Sequence, residues 1–125
     1  MHPSPLSKSV LLCFDDELES AQRIAEAASM PLAVMQRHRF PDGEIKLRLP
    51  ETLPEHVVIL RSLSHPNEKL IELLLAAQTA RLLGAKHMTL VAPYLAYMRQ
   101  DMAFHPGEVI SQRIVGRFLA DLFDA

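Results

Sequence analysis

The chain has 125 residues, of which 49% are hydrophobic and 22% charged, a composition that fits one soluble domain with a single buried core. Its formal net charge of −2 provides no overall attraction to nucleic acid or to an anionic membrane surface, and no apolar run approaches the roughly 20 residues of a membrane helix. One cysteine, Cys13, excludes an internal disulfide; set in an apolar run it reads as a buried thiol in a reducing, cytoplasmic protein.

Residues 1–9 have no apolar segment of the kind a signal peptide needs and read as an N-terminal tail, with the domain spanning 10–125. Val10 to Phe14 is a compact apolar run, predicted to be a buried strand. Asp15 and Asp16 are predicted to cap a helix over Glu17–Ser29, with Leu18, Ala21, Ile24, Ala25 and Ala28 at helical spacing. Pro31 ends it, and Leu32–Met35 is a second strand. Pro41-Asp42-Gly43 is a turn signal, after which Ile45, Leu47 and Leu49 alternate with Lys46 and Arg48, which predicts a hairpin with one wet face that projects from the domain.

His56–Leu60 reads as the next strand and Arg61–Asn67 as a polar loop that ends in a helix cap at Asn67. The helix that follows, Glu68–Leu83, stops at Gly84. Its apolar residues, Leu70, Ile71, Leu74, Leu75 and Leu82 among them, run nearly all round, which predicts burial on two sides, one of them against a neighbouring subunit or further chain. His87–Ala92 is a buried strand closed by Pro93, whose missing N–H does not suit a central ladder. Ser111 is predicted to cap a last helix with Ile114, Val115, Phe118, Leu119 and Leu122 on its apolar face, and Ile110 and Val115 stand where a hydrophobic staple would. Strands alternating with helices imply βαβ units and a mostly parallel sheet flanked by helices.

Chemistry concentrates in the loop after the His87–Ala92 strand, which carries Tyr94, Tyr97 and then Arg99-Gln100-Asp101. Ligands of open α/β sheets bind at the carboxyl ends of strands, and Arg offers a planar five-donor fork suited to phosphate. Phe40 beside Asp42 and Glu44 could stack on a base and accept from an exocyclic amine, although Phe40-Pro41-Asp42-Gly43-Glu44 is also simply a good hairpin turn. Walker, GxGxxG, CxxC and HExxH motifs are absent, and the histidines are not spaced as a metal cluster.

Four segments come in a shared order and spacing: Phe40-Pro41-Asp42-Gly43-Glu44, Asn67 to Leu75, Pro93 to Asp101, and Val109-Ile110-Ser111-Gln112-Arg113. Together they resemble the N-terminal half of ribose-phosphate diphosphokinase, the phosphoribosyl diphosphate (PRPP) synthetase family, over almost the whole chain beyond the tail. The resemblance implies a type I phosphoribosyltransferase-like fold and an oligomeric enzyme. Such an enzyme moves the β,γ-diphosphoryl group of ATP onto the 1-hydroxyl of ribose 5-phosphate, with magnesium, for nucleotide biosynthesis. It implies that Arg99 and Gln100 hold ATP, with Arg99 touching phosphate in the transition state. Asp101 would support them by orienting Arg99 or a metal-bound water. It also implies that Phe40, Asp42 and Glu44 bind adenine from an adjacent subunit.

The chain departs from the family pattern at Asn67-Glu68, where Asn-Asp is common. It departs again at Met102-Ala103-Phe104, where basic residues are usual, and at Val109-Ile110-Ser111-Gln112-Arg113, where Pro-Ile-Ser-Ala-Lys is usual. The family's metal-binding Asp-x-His and its ribose-phosphate loop have no counterpart up to Ala125. The chain therefore reads as a portion of the enzyme, inactive alone, with a non-catalytic regulatory or scaffolding paralogue as the alternative.

Overall fold

Apolar residues alternate between two destinations along the first strand, and that alternation organises the domain. The structure, a computed structural model, describes residues 8–124. It contains strands β1 (Ser9–Phe14), β2 (Leu32–Arg39), β3 (Ile45–Arg48), β4 (His56–Leu60) and β5 (His87–Val91), and helices α1 (Leu18–Ala28), α2 (Pro66–Leu82) and α3 (Ser111–Leu122). The strands form one sheet in the order β3-β2-β1-β4-β5. β1 lies at the centre, parallel to β2 and β4, and β5 is parallel to β4. Only β3 runs antiparallel, paired to β2 from Gln36↔Arg48 to Arg39↔Ile45.

Val10, Leu12 and Phe14 point to the face covered by α2 and α3, where Leu73, Ala76, Ala77, Ala80, Leu119 and Leu122 are buried with them. Leu11 and Cys13 point to the other face, against Ala21 and Ala25 of α1. A strand buried on both faces has to read as a continuous apolar run, and β1 does. Burial pushes the Cys13 thiol up to about 11, with the negative charges of Glu17, Asp16 and Asp15 adding to the effect, so at neutral pH the buried sulfur stays protonated.

The elements follow the sequence expectations in type and differ at their edges. Ser9, expected in the tail, is the first residue of β1, while residues 1–7 of that tail lie outside the described part. β2, expected to end at Met35, continues to Arg39 because its last residues pair with β3. α2 starts two residues before the expected Glu68. Pro66, with no N–H to leave unpaired, occupies its first position, and Asn67 is inside the helix. Asp15 and Asp16 do not cap α1; they lie in a short 3-10 turn and bond to arginines instead. Ser111 caps nothing either, since Ile110 occupies the cap position of α3.

α2, expected to be covered on two sides, buries one, and α3 buries the expected face except at Ile114, with Val115 and Phe118 packed against the core. α2 buries Glu72, Leu73, Ala76, Ala77 and Ala80, and leaves Ile71, Leu75 and Leu82 exposed. In α3, Ile114 is exposed while Leu119 and Leu122 are buried. No described helix is long and apolar enough to cross a membrane.

Two glycines offer a paired stability test. Gly84, at φ 125°, ends the α2 region so close to the Leu53 carbonyl that a Cβ would sit 2.7 Å from its oxygen. Gly116 lies inside α3 with nothing within 4 Å of an added Cβ. Gly84→Ala is expected to destabilise by about 1–3 kcal/mol, from backbone strain and overlap with a rigid carbonyl. Gly116→Ala is expected to stabilise by about 0.8–1 kcal/mol through helix propensity. Urea unfolding midpoints moving in opposite directions would bear this out, and equal shifts would refute it.

Candidate functional site

Three connections leave the carboxyl edge of the parallel strands β1, β4 and β5, and side chains from all three meet there. The chain order reverses direction between β1 and β4. The crevice outside such a switch point commonly takes a ligand, but here it is filled by a cluster of charges. Arg61, directly after β4, is 1% exposed and lies 4.4 Å from the Phe14 ring. Its Nη1 donates to Asp16 Oδ1 at 2.5 Å and to Glu17 Oε1 at 3.0 Å, and its Nη2 to Glu72 Oε1 at 2.5 Å. Glu72, equally buried, accepts from Arg37 as well, and Arg37 reaches Asp15 at 3.1 Å. The Glu17 carboxylate also accepts the Ser62 backbone N–H, which ties the start of the loop after β4 to the turn after β1.

This cluster is the main feature that sequence reasoning missed. Arg61 looked like the start of a solvated loop and Glu72 like one polar residue on a helix. The available signal was a lone acid amid Leu70, Ile71, Leu73, Leu74 and Leu75, together with an Arg directly after a fully apolar strand. Both residues occupy sites that water does not reach, and each makes the other tolerable there.

The open crevice lies one strand further along, between the loops after β4 and β5. It encloses about 540 Å³ and is lined by Leu63 to Asn67 and by Tyr94 to Gln100. The Leu63 backbone N–H donates to the Tyr94 carbonyl at 2.9 Å, and Arg61 N–H to the Val91 carbonyl at 3.0 Å, so the two loops leave the sheet as a connected pair. Across the crevice the Tyr97 hydroxyl donates to the Asn67 side-chain carbonyl; Asn67, expected as a cap, serves as a loop anchor. Tyr97 holds a φ of 66°, a conformation rare for a bulky side chain. Ala96 beside it is buried, so the loop is pinned from below and tethered from the side.

Arg99 and Gln100 are exposed on this rim and line both the main crevice and a smaller adjoining one of about 310 Å³ with Met102, Phe104, Glu108 and Val109. Asp101 is exposed and makes no ion pair with Arg99 among the described residues, so nothing in the structure has it orienting that arginine. Guanidinium and amide groups beside the N-terminal end of α2 make a rim rich in donors, which suits an anion with several oxygens.

The hairpin turn lies elsewhere. Phe40 N–H donates to the Glu44 carbonyl at 2.8 Å and Gly43 N–H to the Phe40 carbonyl at 2.9 Å, with Gly43 at φ 96°. Asp42 Oδ1 accepts the Glu44 N–H at 3.1 Å, which commits one carboxylate oxygen to the turn. Phe40 is 40% exposed and meets His38 edge-on with ring centroids 4.6 Å apart. Glu44 lines a separate groove of about 310 Å³ between the hairpin and α2, together with Arg39, Glu68, Ile71 and Leu75. Arg39 and Glu68 form a two-pronged pair across it, at 2.5 and 3.0 Å. The structure thus brings Arg99 and Gln100 together on one crevice, while Glu44 of the hairpin turn lines a different groove and, among the described residues, Phe40 and Asp42 line neither.

A mostly parallel sheet flanked by helices, with an open crevice at its carboxyl edge, defines the class: an open α/β domain. A family profile described as the N-terminal domain of ribose phosphate pyrophosphokinase matches residues 9–122, and the chain belongs to that family. It is 37% identical over 117 residues to a ribose-phosphate pyrophosphokinase of Methanopyrus kandleri, covering 93% of this chain and 40% of that relative. To the enzyme of the same name from Saccharolobus solfataricus it is 40% identical over 103 residues, covering 81% of this chain and 35% of that one. The crystal structure of phosphoribosylpyrophosphate synthetase from Mycobacterium smegmatis superposes with a TM-score of 0.76 at 25% identity. That match covers 92% of this chain and 40% of that one. The chain therefore spans about two fifths or less of the length of these relatives.

Proposed function

We propose that this domain holds the ATP side of a ribose-phosphate diphosphokinase, with Arg99 and Gln100 contacting the phosphates. Such an enzyme transfers the β,γ-diphosphoryl group of ATP to the 1-hydroxyl of ribose 5-phosphate and releases AMP. The observation that carries the reading is the pair of donor side chains on one rim of the crevice, on a loop anchored by Asn67 and buried Ala96. Diphosphoryl transfer requires positioning and neutralisation of charge more than a protein nucleophile, and a guanidinium carried on an anchored loop suits that task. Asp101 is read as a secondary contact at the same rim.

Phe40, Asp42 and Glu44 are proposed to bind the adenine of an ATP held by another subunit of a homo-oligomer in the cytoplasm. Phe40 offers a half-exposed ring, and Glu44 and the second oxygen of Asp42 offer acceptors for the amino group. Their position on a turn away from the Arg99 crevice supports division of the site between chains.

The described residues do not fit a resident magnesium centre, because no group of three or more histidine, cysteine or carboxylate side chains could hold a metal. Magnesium commonly arrives on substrate phosphates and keeps much of its water, and no step assigned to this domain runs through it.

Isothermal titration of the chain with ATP is expected to show saturable binding that weakens on Arg99→Ala and with rising salt. Absence of binding, or binding indifferent to Arg99, would overturn the reading. In a coupled assay with ATP, magnesium and ribose 5-phosphate, the chain alone is expected to release no AMP above blank. Clear turnover would show that the domain needs nothing more.

A further inference from the structure

The first turn of α3 grips Gln100 at two points. The Gln112 backbone N–H donates to the Gln100 carbonyl at 3.0 Å, and the Ser111 hydroxyl donates to Gln100 Oε1 at 2.6 Å. A further contact runs from the Gln112 side-chain nitrogen to Met98 Sδ at 3.7 Å. α3 has no side-chain cap of its own, so one of its unpaired first-turn N–H groups is satisfied by the crevice loop itself. Helix start and loop form one unit.

The chemistry of the Ser111 bond decides what Gln100 can offer. An amide side chain carries one acceptor oxygen and one nitrogen with two protons. With the oxygen engaged by the serine hydroxyl, the NH2 group is the part left to meet a ligand beside the donor-only guanidinium of Arg99. Without that bond the amide is free to turn, and half of its orientations would set a carbonyl oxygen against an anionic ligand.

We infer that Ser111 is a positioning residue that fixes the Gln100 amide with its NH2 group toward a phosphate oxygen in the crevice. This rests on the reading of the Arg99 rim as a phosphate-holding site and adds to it a residue that touches no substrate.

The test uses the whole chain, labelled with nitrogen-15. The Gln100 side-chain amide signal is assigned by its loss in Gln100→Ala. It is expected to be well ordered without any ligand in the unsubstituted chain and in Ser111→Thr, which keeps the hydroxyl, and mobile in Ser111→Ala. ATP affinity should follow the same order, falling about fivefold in Ser111→Ala, the worth of one neutral hydrogen bond. It should return in Ser111→Thr while unfolding midpoints of the two variants stay alike. Gln100→Glu, which keeps the acceptor for Ser111 and presents a second oxygen in place of NH2, should bind ATP more weakly than Gln100→Ala. A mobile amide in the unsubstituted chain would overturn the inference, as would equal ATP affinity in Ser111→Ala and Ser111→Thr. Failure of the unsubstituted chain to bind ATP at all would overturn the proposed function, and this inference with it. ATP binding that ignores residue 111 would overturn this inference alone.

Discussion

Glu72→Ala is expected to cost the domain about 3–5 kcal/mol, the range for removing one partner of a buried ion pair. Glu72 and Arg61 are each 1% exposed, and Arg61 Nε has no partner among the described residues. Removing the carboxylate would leave the guanidinium with only Asp16 and Glu17 at Nη1, and would free Arg37 from its buried contact. Stability of a domain this size is only about 5–15 kcal/mol in total, so the loss should appear as a large fall in urea midpoint or as failure to fold. Glu72→Gln keeps the shape and one acceptor and should fall between. A replacement that tolerates alanine with a loss under about 1 kcal/mol, the worth of an exposed pair, would mean that water reaches the cluster.

The same cluster has a pH signature. Burial alone would push the Asp16 carboxyl up, but the hydrogen bond from Arg61, then the charges of Arg61 and Arg37, outweigh it and hold the group below the usual carboxylate range. A folded-state value depressed below the unfolded one, about 3.9, contributes stability that is fully present above that pH and is lost as pH falls toward the folded value. The stability difference between the chain and Asp16→Asn should therefore be flat between about pH 5 and 7 and shrink below about pH 4. A difference that grows on acidification would contradict the assignment.

Arg99→Ala in the complete enzyme is expected to reduce turnover by about 10²–10³-fold, or about 2.7–4 kcal/mol, by analogy with other donors that act where charge develops in a transition state. Arg99 is exposed and makes no ion pair among the described residues, so its removal should leave the fold intact and act through the site, on ATP binding and turnover. Phe40→Ala should also lower activity strongly, through the adenine. If one ATP is shared between subunits, mixing the two inactive variants under conditions of subunit exchange should restore part of the activity. Some interfaces would then carry Phe40 from one chain and Arg99 from another. No recovery despite demonstrated exchange would mean that each subunit builds its ATP site alone. Circular dichroism spectra that match the unsubstituted protein would separate loss of function from loss of fold.

The amino-acid order by itself determined the local elements and the family. Strands β1 and β4 were legible because a strand buried on both faces must read as an apolar run, and His56–Leu60 was placed to the residue. β5, expected as buried, is the last strand of the described sheet and leaves His87 and Thr89 exposed, a position that only the strand order decides. The β2–β3 pairing was legible from Pro41-Asp42-Gly43 followed by strict alternation, since turn chemistry and a period of two are local properties. The family was legible by resemblance, in the residues and order of the four segments from Phe40 to Arg113, and the matching family profile bears it out.

What needed the tertiary structure was every partner chosen across the chain. Asp15, Asp16, Asn67 and Ser111 all looked like helix caps, because side chains of that kind before an apolar run usually bond to the nearest backbone N–H. Each instead bonds to a residue from 11 to 45 positions away. Which face of α2 is buried was undecidable from a helix apolar nearly all round; Leu73 joins the core with β1 residues and Glu72 meets Arg37 and Arg61, while Ile71 and Leu75 stay exposed. A local pattern encodes a preference for burial or bonding without naming the partner. Only the assembled fold, by bringing Arg61 against Glu72 and Ser111 against Gln100, settles which groups satisfy one another.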